Sequence, residues 1–265
     1  MTGGGNGRDA ARSAAGDGRD AAAPAAGNGG APRTALILQH GDWGPPGLLA
    51  EWLEARGIPY EIHRTYVGAP MPDPAGYAFV ASLGSNRSPR DTEDPAVAAE
   101  LVFLREAIER DVPILGLCFG GQALAAALGG EVEAAPVPEL GWTDIETDDP
   151  ALVPPGPWLE WHYERFSTPP GATEIARTGA ATQAFRHGRH VGVQFHPEST
   201  VEIVTHWARS DGERLARLGL GDGSALIAAS EEHQQAARAA AFAFFDGFLA
   251  IANVPAAPAA AVREG

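Results

Sequence analysis

Lysine is absent from the 265-residue sequence, so all 19 of its basic residues are arginine. A Walker A phosphate-binding loop requires a lysine that reaches the nucleotide phosphates, and a Schiff-base enzyme requires a lysine nucleophile. Both kinds of chemistry are therefore excluded for this sequence unless a partner chain supplies the amine.

Cysteine occurs only once, at position 118, and no unbroken stretch of 18 or more apolar residues is present. A single cysteine cannot form an internal disulfide bond, and the N-terminal segment lacks the apolar centre of a secretory signal. No membrane-spanning helix is expected from these runs. Together these observations predict a cytoplasmic location.

Positive charge is also scarce, because the formal net charge is -15. Nucleic acids and anionic membranes are bound by clustered cations, so neither is expected as a partner. The histidine, cysteine and acidic residues show no spacing typical of a metal site. We therefore expect no metal and no other cofactor.

Composition divides the chain into three segments. Residues 1–32 are rich in Ala, Gly, Asp and Arg, and residues 254–265 are rich in Ala and Pro. Neither segment has enough apolar residues to offset the entropy lost on ordering it, so both are predicted to be disordered. One folded domain is predicted over residues 33–253.

Continuous apolar runs alternate with helical periodicities in the first half of this domain, as is typical of parallel strands that are covered on both faces. Strands are predicted over residues 34–40, 59–66, 76–84 and 112–117, and helices over 44–57, 96–110 and 120–130. The second half is predicted to hold antiparallel strands from residue 131, a hairpin over 183–195, and helices over 201–219 and 224–253. The last helix is expected to face the sheet with Phe242, Phe245, Phe248 and Leu249. The order predicts an α/β fold with an open, mostly parallel twisted sheet and helices on both faces.

The segment ILGLCFGGQALA places Cys118 between a predicted strand and a predicted helix. Sites in open α/β sheets form at the carboxyl ends of strands, and glycines at 116, 120 and 121 permit a sharp turn there. Helix N-termini favour negative charge, and the thiolate is the nucleophilic form of cysteine. A lone cysteine in an apolar segment is nevertheless more often a small buried hydrophobe, so this motif alone does not predict catalysis.

A second motif, GVQFHPEST at residues 192–200, reverses that interpretation. His196 and Glu198 follow a predicted strand, and residues two apart on an extended segment point to the same side. Glu198 can orient one imidazole nitrogen of His196 while the other nitrogen takes the proton of the Cys118 thiol. The two motifs together predict a Cys–His–Glu triad.

The sequences GLCFGGQ and QFHPE resemble the two signature motifs of class I glutamine amidotransferases. The resemblance continues in three further segments: GYAFVASLGSNRSP (76–89), ELGWTDIE (139–146) and WHYERFSTPPGATEIART (161–178). It covers residues 34–200 in colinear order, and the chain looks most similar to stand-alone domains resembling the amidotransferase part of GMP synthase. It implies the flavodoxin-like fold of that family.

The resemblance also implies the roles of individual residues. Cys118 would attack the amide carbon of glutamine, His196 would act as base and then protonate ammonia, and Glu198 would hold the His196 tautomer. Water would release glutamate from a γ-glutamyl thioester. The oxyanion hole would be formed by backbone N–H groups of Phe119 and of Gly84 or Ser85. The implied substrate-binding residues are Gln122, Gly120, Trp142 and His162.

This sequence departs from the family pattern at two places. Leu83, Gly84 and Ser85 stand where the family usually carries Gly-Gly-Pro, and Glu164 stands where it usually carries Asp. Neither departure touches the triad. Outside the motifs, His40 could approach the site but is interpreted as a loop or surface residue, and Trp161 could line a pocket but is interpreted as a packing residue.

Three functions remain open at this stage. The leading hypothesis is a glutaminase domain that supplies ammonia to a separate synthetase or amidating partner. The second is a hydrolase of another γ-glutamyl compound that uses the same triad without a partner. The third is a non-enzymatic module, which the intact Cys118, His196 and Glu198 disfavour. No motif identifies the acceptor of the ammonia.

Overall fold

The computed structural model describes residues 34–254. The strands are β1 Ala35–Gln39, β2 Tyr60–Arg64, β3 Phe79–Ser82, β4 Ile114–Leu117, β5 Val132–Thr143, β6 Glu146–Thr147, β7 Trp158–Phe166, β8 Thr173–Arg177, β9 Thr182–His187 and β10 His190–Val193. The α-helices are α1 Gly47–Ala55, α2 Pro95–Glu109, α3 Phe119–Ala127, α4 Val201–Ser210, α5 Gly212–Arg217 and α6 Ser224–Ala252. The predicted disordered tail 1–32, and all but the first residue of the predicted tail 254–265, lie outside the described residues.

Eight strands form one sheet in the order β2-β1-β3-β4-β10-β9-β8-β6, while β5 and β7 form a separate antiparallel pair. The pairings β2–β1, β1–β3, β3–β4 and β4–β10 are parallel. The pairings β10–β9, β9–β8 and β8–β6 are antiparallel. The prediction of an open, mostly parallel α/β sheet is confirmed, and so is the hairpin at β9–β10.

Helices cover both faces of this sheet, which explains the continuous apolar runs of its parallel strands. On one face, α1 and α6 bury Trp52 and Phe248 against alternate strand residues that include Ile37. On the other face, α2 and α3 bury Phe103 against residues of opposite parity, including Leu38. Because successive side chains of a strand point to opposite faces, β1 contributes to both halves of the core.

Helix α6 packs on the sheet differently in detail from the prediction. Phe245 and Phe248 are fully buried as expected, but Phe244 is the third buried aromatic residue. Phe242 and Leu249 are half-buried and pack against the same core, and the Arg238 guanidinium lies 4.2 Å from the centroid of the Phe242 ring. By length and composition alone α6 also qualifies as a candidate membrane span. Charged residues, among them Arg238 and Asp246, interrupt its apolar sequence, so α6 holds no unbroken run of 18 apolar residues.

The second half of the chain contains two features that the sequence patterns did not reveal. No strand was predicted at β7, because its sequence WLEWHYERF carries polar residues on the face that turns out to be buried. The single helix predicted over 201–219 is two helices separated at Asp211. The sequence Ser-Asp-Gly at that point is typical of a turn.

Candidate active site

Cys118 occupies the turn between β4 and α3 with an unusual backbone conformation. Its φ is 51° and its ψ is -107°, a region that L-residues with a side chain rarely adopt and that stores about 1–3 kcal/mol of strain. Its N–H donates to the carbonyl oxygen of Val193 at 2.9 Å. Since Val193 ends β10, this bond fixes the cysteine beside the segment that carries His196.

Three glycines allow the first turn of α3 to lie against the backbone of the neighbouring strands. A Cβ atom on Gly120 would lie 2.1 Å from the carbonyl oxygen of Ser82, and one on Gly121 would lie 2.4 Å from that of Val193. A Cβ on Gly116 would lie 2.4 Å from the carbonyl oxygen of Gly120. Gly120, one of the implied substrate-binding residues, packs against β3 and is not among the residues that line the cavity, and its role in binding stays a prediction.

His196 and Glu198 form a buried pair on the segment after β10. The distance from His196 Nδ1 to Glu198 Oε1 is 2.8 Å, and both residues are less than 5% exposed. Among residues 34–254, His196 Nε2 has no hydrogen-bond partner. A Cβ atom on Gly84 would lie 2.9 Å from His196 Cε1 and 3.9 Å from Cys118 Cβ, so Gly84 lies against both side chains.

The electrostatic surroundings of His196 favour its charged form. Complete burial opposes protonation of the imidazole, but the Glu198 carboxylate and the Cys118 sulfur outweigh it. They raise the pKa of His196 well above its ordinary value. Nearby negative charge has this effect on a histidine because it stabilises the imidazolium.

Cys118 and His196 both line a cavity of about 620 Å³. The residues from the sequence prediction that line it are Cys118, His196, Gln122, His162 and Ser85. Gln122 is held in place by its amide nitrogen, which donates to the backbone oxygen of Glu164 at 3.0 Å and to Gln194 Oε1 at 3.3 Å. The cavity therefore brings the two sequence motifs together.

Trp142, one of the implied substrate-binding residues, does not line the cavity. Its indole N–H donates to Ser230 Oγ at 2.9 Å, and its ring packs 5.0 Å from the ring of His233 on α6. Trp161 on the paired strand β7 lines the cavity instead. Both tryptophans belong to one twisted ribbon, so their sequence positions could not show which of them faces the site.

His40 was interpreted as a loop or surface residue, and the structure shows that this is wrong. The side chain is buried, and its Nε2 lies 2.7 Å from Glu100 Oε2. Its Nδ1–H donates to the carbonyl oxygen of Gly84 at 3.1 Å. Ser82 Oγ donates to the other carboxylate oxygen of Glu100 at 2.6 Å. Through the Gly84 carbonyl, this cluster contacts the loop of residues 83–85 that approaches Cys118.

A second buried polar cluster surrounds His162 behind the cysteine. His162 Nε2 lies 3.2 Å from a carboxylate oxygen of Glu139 and 3.2 Å from one of Glu160. Burial opposes protonation of His162, but hydrogen bonding to the two carboxylates outweighs it and raises its pKa to about 10. Burial raises the pKa of Glu160, which is completely enclosed. Sequence reasoning missed both acidic residues, because each lies on a strand among residues of no obvious chemistry.

Gln194 is a further residue that the sequence analysis left without a role. Its amide nitrogen lies 3.7 Å from Cys118 Sγ. The residue directly follows β10 and precedes His196 by two positions, so its place at the carboxyl end of a parallel strand was the signal that could have found it.

Comparisons with known proteins agree with these motifs. Residues 87–206 match the family model described as glutamine amidotransferase class-I. The glutamine-hydrolyzing GMP synthase of Aeropyrum pernix is 35% identical over 141 residues, which are 50% of this chain and 26% of that protein. The glutamine amidotransferase-like protein YfeJ of Salmonella typhimurium is 28% identical over 192 residues, 67% of this chain and 80% of that protein. The chain thus spans about a quarter of the length of the GMP synthase it matches.

The fold has the same relatives. The crystal structure of a glutamine amidotransferase from Methylobacillus flagellatus superposes with a TM-score of 0.78 and 25% sequence identity. The superposition covers 86% of this chain and 97% of that one. The similarity of fold therefore extends over most of the chain.

Proposed function

We propose that this chain, which matches the class-I glutamine amidotransferase family model over residues 87–206, hydrolyses the side-chain amide of glutamine through Cys118, His196 and Glu198. The observation that carries this proposal is the buried 2.8 Å contact between His196 and Glu198 beside the strained cysteine. A nucleophile, a base and a carboxylate that orients the base are the parts of a hydrolytic triad.

The reaction follows from this arrangement in two halves. Cys118 sulfur attacks the amide carbon, and its proton passes to His196 Nε2. His196, whose pKa is raised by Glu198 and by the Cys118 sulfur, then donates that proton to the leaving nitrogen as the C–N bond breaks. Water attacks the resulting thioester and gives its proton to His196. Glutamate leaves as the C–S bond breaks, which regenerates the thiol.

Two backbone N–H groups are suited to stabilise the oxyanion. Phe119 is the first residue of α3, so its N–H has no acceptor within the helix. The C=O of Gly84 and the N–H of Ser85 belong to one trans peptide and point in opposite directions. Since His40 holds that C=O from below, the Ser85 N–H points away from His40. This geometry favours Ser85 over Gly84 as the second donor.

Two side chains of the cavity are suited to hold the rest of the substrate. Gln122 lies one turn of helix beyond Cys118 and is fixed by two hydrogen bonds of its amide nitrogen, so its carbonyl oxygen remains available. The Glu164 carboxylate also lines the cavity, where it accepts from Ser88 Oγ at 2.7 Å. We assign Glu164 to the substrate ammonium group because opposite charges attract most strongly in partly desolvated sites.

We also propose that the released ammonia is used by a separate amidating partner. Support comes from the matched GMP synthase, whose name describes a glutamine-hydrolysing synthase and whose length extends far beyond the matched region. The lysine-free sequence has no phosphate-binding loop of the Walker type. Glutaminase activity measured with and without proteins that co-purify with the chain tests this step.

A second candidate function is hydrolysis of other γ-glutamyl amides by the same residues. The specific observation in its favour is the size of the cavity, since about 620 Å³ lies within the range that encloses drug-sized ligands. Glutamine alone is much smaller than such ligands.

Release of glutamate from glutamine by the purified chain tests the principal proposal. We expect activity that is lost in Cys118→Ser and reduced about 10²- to 10⁴-fold in kcat in Glu198→Gln. The matched control is Glu202→Gln, an exposed carboxylate one helical turn further along the chain, which should retain activity within about twofold. A glutamine-derived diazo ketone should label Cys118. Absence of both turnover and labelling, in a folded protein whose cysteine still reacts with iodoacetamide, would overturn the proposal.

A further inference from the structure

An aromatic wall begins at the catalytic histidine and continues along one side of the cavity. The ring of His196 packs edge-on against Trp207 with centroids 4.7 Å apart, and Trp207 packs in the same way against Trp161 at 5.7 Å. The indole N–H of Trp207 donates to the backbone oxygen of Trp43 at 2.9 Å. All three tryptophans line the cavity that contains Cys118.

The chemistry of the triad identifies which part of a substrate lies against this wall. His196 delivers its proton to the leaving nitrogen, so that nitrogen must lie next to the imidazole. Trp207 is in contact with the same imidazole. A substituent on the leaving nitrogen can therefore extend along the tryptophans, while the γ-glutamyl half is assigned to Gln122 and Glu164.

Glutamine has no substituent at this position, and ammonia needs neither a wide cavity nor an apolar wall. Tryptophan rings instead provide large flat surfaces that pack well against planar groups. The indole N–H of Trp207 already donates to the backbone oxygen of Trp43. The surface of Trp207 that is left for a ligand is therefore mainly apolar. Tyr163 also lines the cavity. Its hydroxyl donates to Asp211 Oδ2 at 2.6 Å, and the Arg214 guanidinium lies 4.3 Å from the centroid of its ring.

From these relationships we propose that Trp43, Trp161 and Trp207 form a subsite for the amine half of γ-glutamyl amides that carry a flat, uncharged aromatic group. This proposal rests on the proposed triad and adds the class of the leaving amine. The amide C–N bond breaks as before, the amine leaves with the proton from His196, and water releases glutamate from the thioester.

Two probes with similar leaving groups separate the effect of the ring from the reactivity of the amide: L-γ-glutamylbenzylamide and L-γ-glutamylmethylamide. With the purified chain, kcat/KM for the benzylamide should exceed that for the methylamide at least tenfold, because the aromatic ring is removed from water along the wall. Glutamate release from both compounds and from glutamine is measured under the same conditions.

A pair of tryptophan variants tests the location of the subsite. Trp161→Ala should lower the benzylamide-to-methylamide ratio about tenfold, and Trp161→Phe should restore part of it. The matched control is Phe242→Ala, a half-buried aromatic residue of α6 outside the cavity lining, which should change the ratio less than twofold.

The possible results distinguish this proposal from the one on which it rests. If glutamine is hydrolysed but the benzylamide is not preferred, the subsite is wrong and the glutaminase proposal stands. If the ratio is high but does not respond to either Trp161 variant, the subsite is also wrong. If a folded chain hydrolyses none of the three compounds, both proposals fail.

Discussion

His40 Nε2 lies 2.7 Å from Glu100 Oε2, and both side chains are almost completely enclosed beneath the loop that approaches Cys118. The imidazole of His40 also packs edge-on against Phe119, with ring centroids 4.8 Å apart. His40 thus contacts both backbone segments to which the oxyanion hole is assigned, one through the Gly84 carbonyl and one through the ring of Phe119. The pair positions the site without reaching the substrate.

Loss of the His40 side chain is therefore expected to affect catalysis through the Gly84–Ser85 peptide. In His40→Ala, kcat for glutamine should fall about 10- to 100-fold, less than for deletion of a whole oxyanion donor, while KM changes little. His40→Asn retains a donor for the Gly84 carbonyl and should recover part of kcat. Equal losses in both variants, or a change confined to KM, would contradict the positioning role.

Glu100, the partner of His40, lies on the same helix α2 as the exposed Glu106. The two residues therefore allow a matched test of stability. Glu100→Ala leaves the buried imidazole of His40 and the hydroxyl of Ser82 without their acceptor and should lower the free energy of unfolding by about 1–3 kcal/mol or more. Glu106→Ala removes an exposed carboxylate from the same helix, where it pairs with Arg110, and should cost less than about 1 kcal/mol. Denaturant unfolding of both variants measures the difference. Similar losses for the two would show that the buried pair does not stabilise the fold.

The backbone strain at Cys118 predicts an opposition between stability and activity. Glycine adopts a positive φ without steric penalty, so Cys118→Gly should be about 1 kcal/mol more stable than Cys118→Ala, in which a side chain remains at φ 51°. Both variants should lack glutaminase activity. Both proteins lack the sulfur, so comparing their thermal or denaturant unfolding isolates the effect of the backbone strain. Greater stability of the alanine variant would contradict the presence of that strain.

Much of the fold could be predicted from the sequence because the parallel strands are buried on both faces. Their continuous apolar runs, such as the one that ends at Cys118, carry information in every residue. The β5–β7 ribbon could not be predicted in the same way, because it buries Glu160 and His162 in a polar cluster. A strand whose buried side is polar lacks the pattern on which such predictions depend.

The residues of the candidate site also differ in how well the sequence predicts them. Cys118, His196 and Glu198 lie in two short motifs with recognisable spacing, so local sequence was sufficient to select them. His40 and Glu100 are 60 residues apart and meet only because β1, β3 and α2 pack together. No local pattern marks either residue, and the same holds for the tryptophans that wall the cavity.

The His162 cluster predicts a loss of stability at alkaline pH. The folded-state pKa of His162 is raised to about 10, whereas an unfolded histidine titrates near 6.5. Its contribution to the free energy of unfolding is thus fully present below about pH 6.5 and is lost as the pH rises through about 10. The wild-type protein should lose stability relative to His162→Gln between pH 7 and 10. A difference that is constant over this range would contradict a protonated His162.

The close contact between α3 and β3 provides a final test of how the cysteine turn is built. A methyl group at Gly120 would lie 2.1 Å from the carbonyl oxygen of Ser82, and neither backbone segment can move without displacing Cys118. We expect Gly120→Ala to lower the free energy of unfolding by about 1–3 kcal/mol or more and to reduce glutamine turnover. Gly212→Ala, at a position where a Cβ meets nothing within 4 Å, is the matched control and should be neutral or slightly stabilising. Because Gly120 does not line the cavity, a Gly120→Ala variant with normal stability but raised KM would instead support the substrate-binding role that the motif implied.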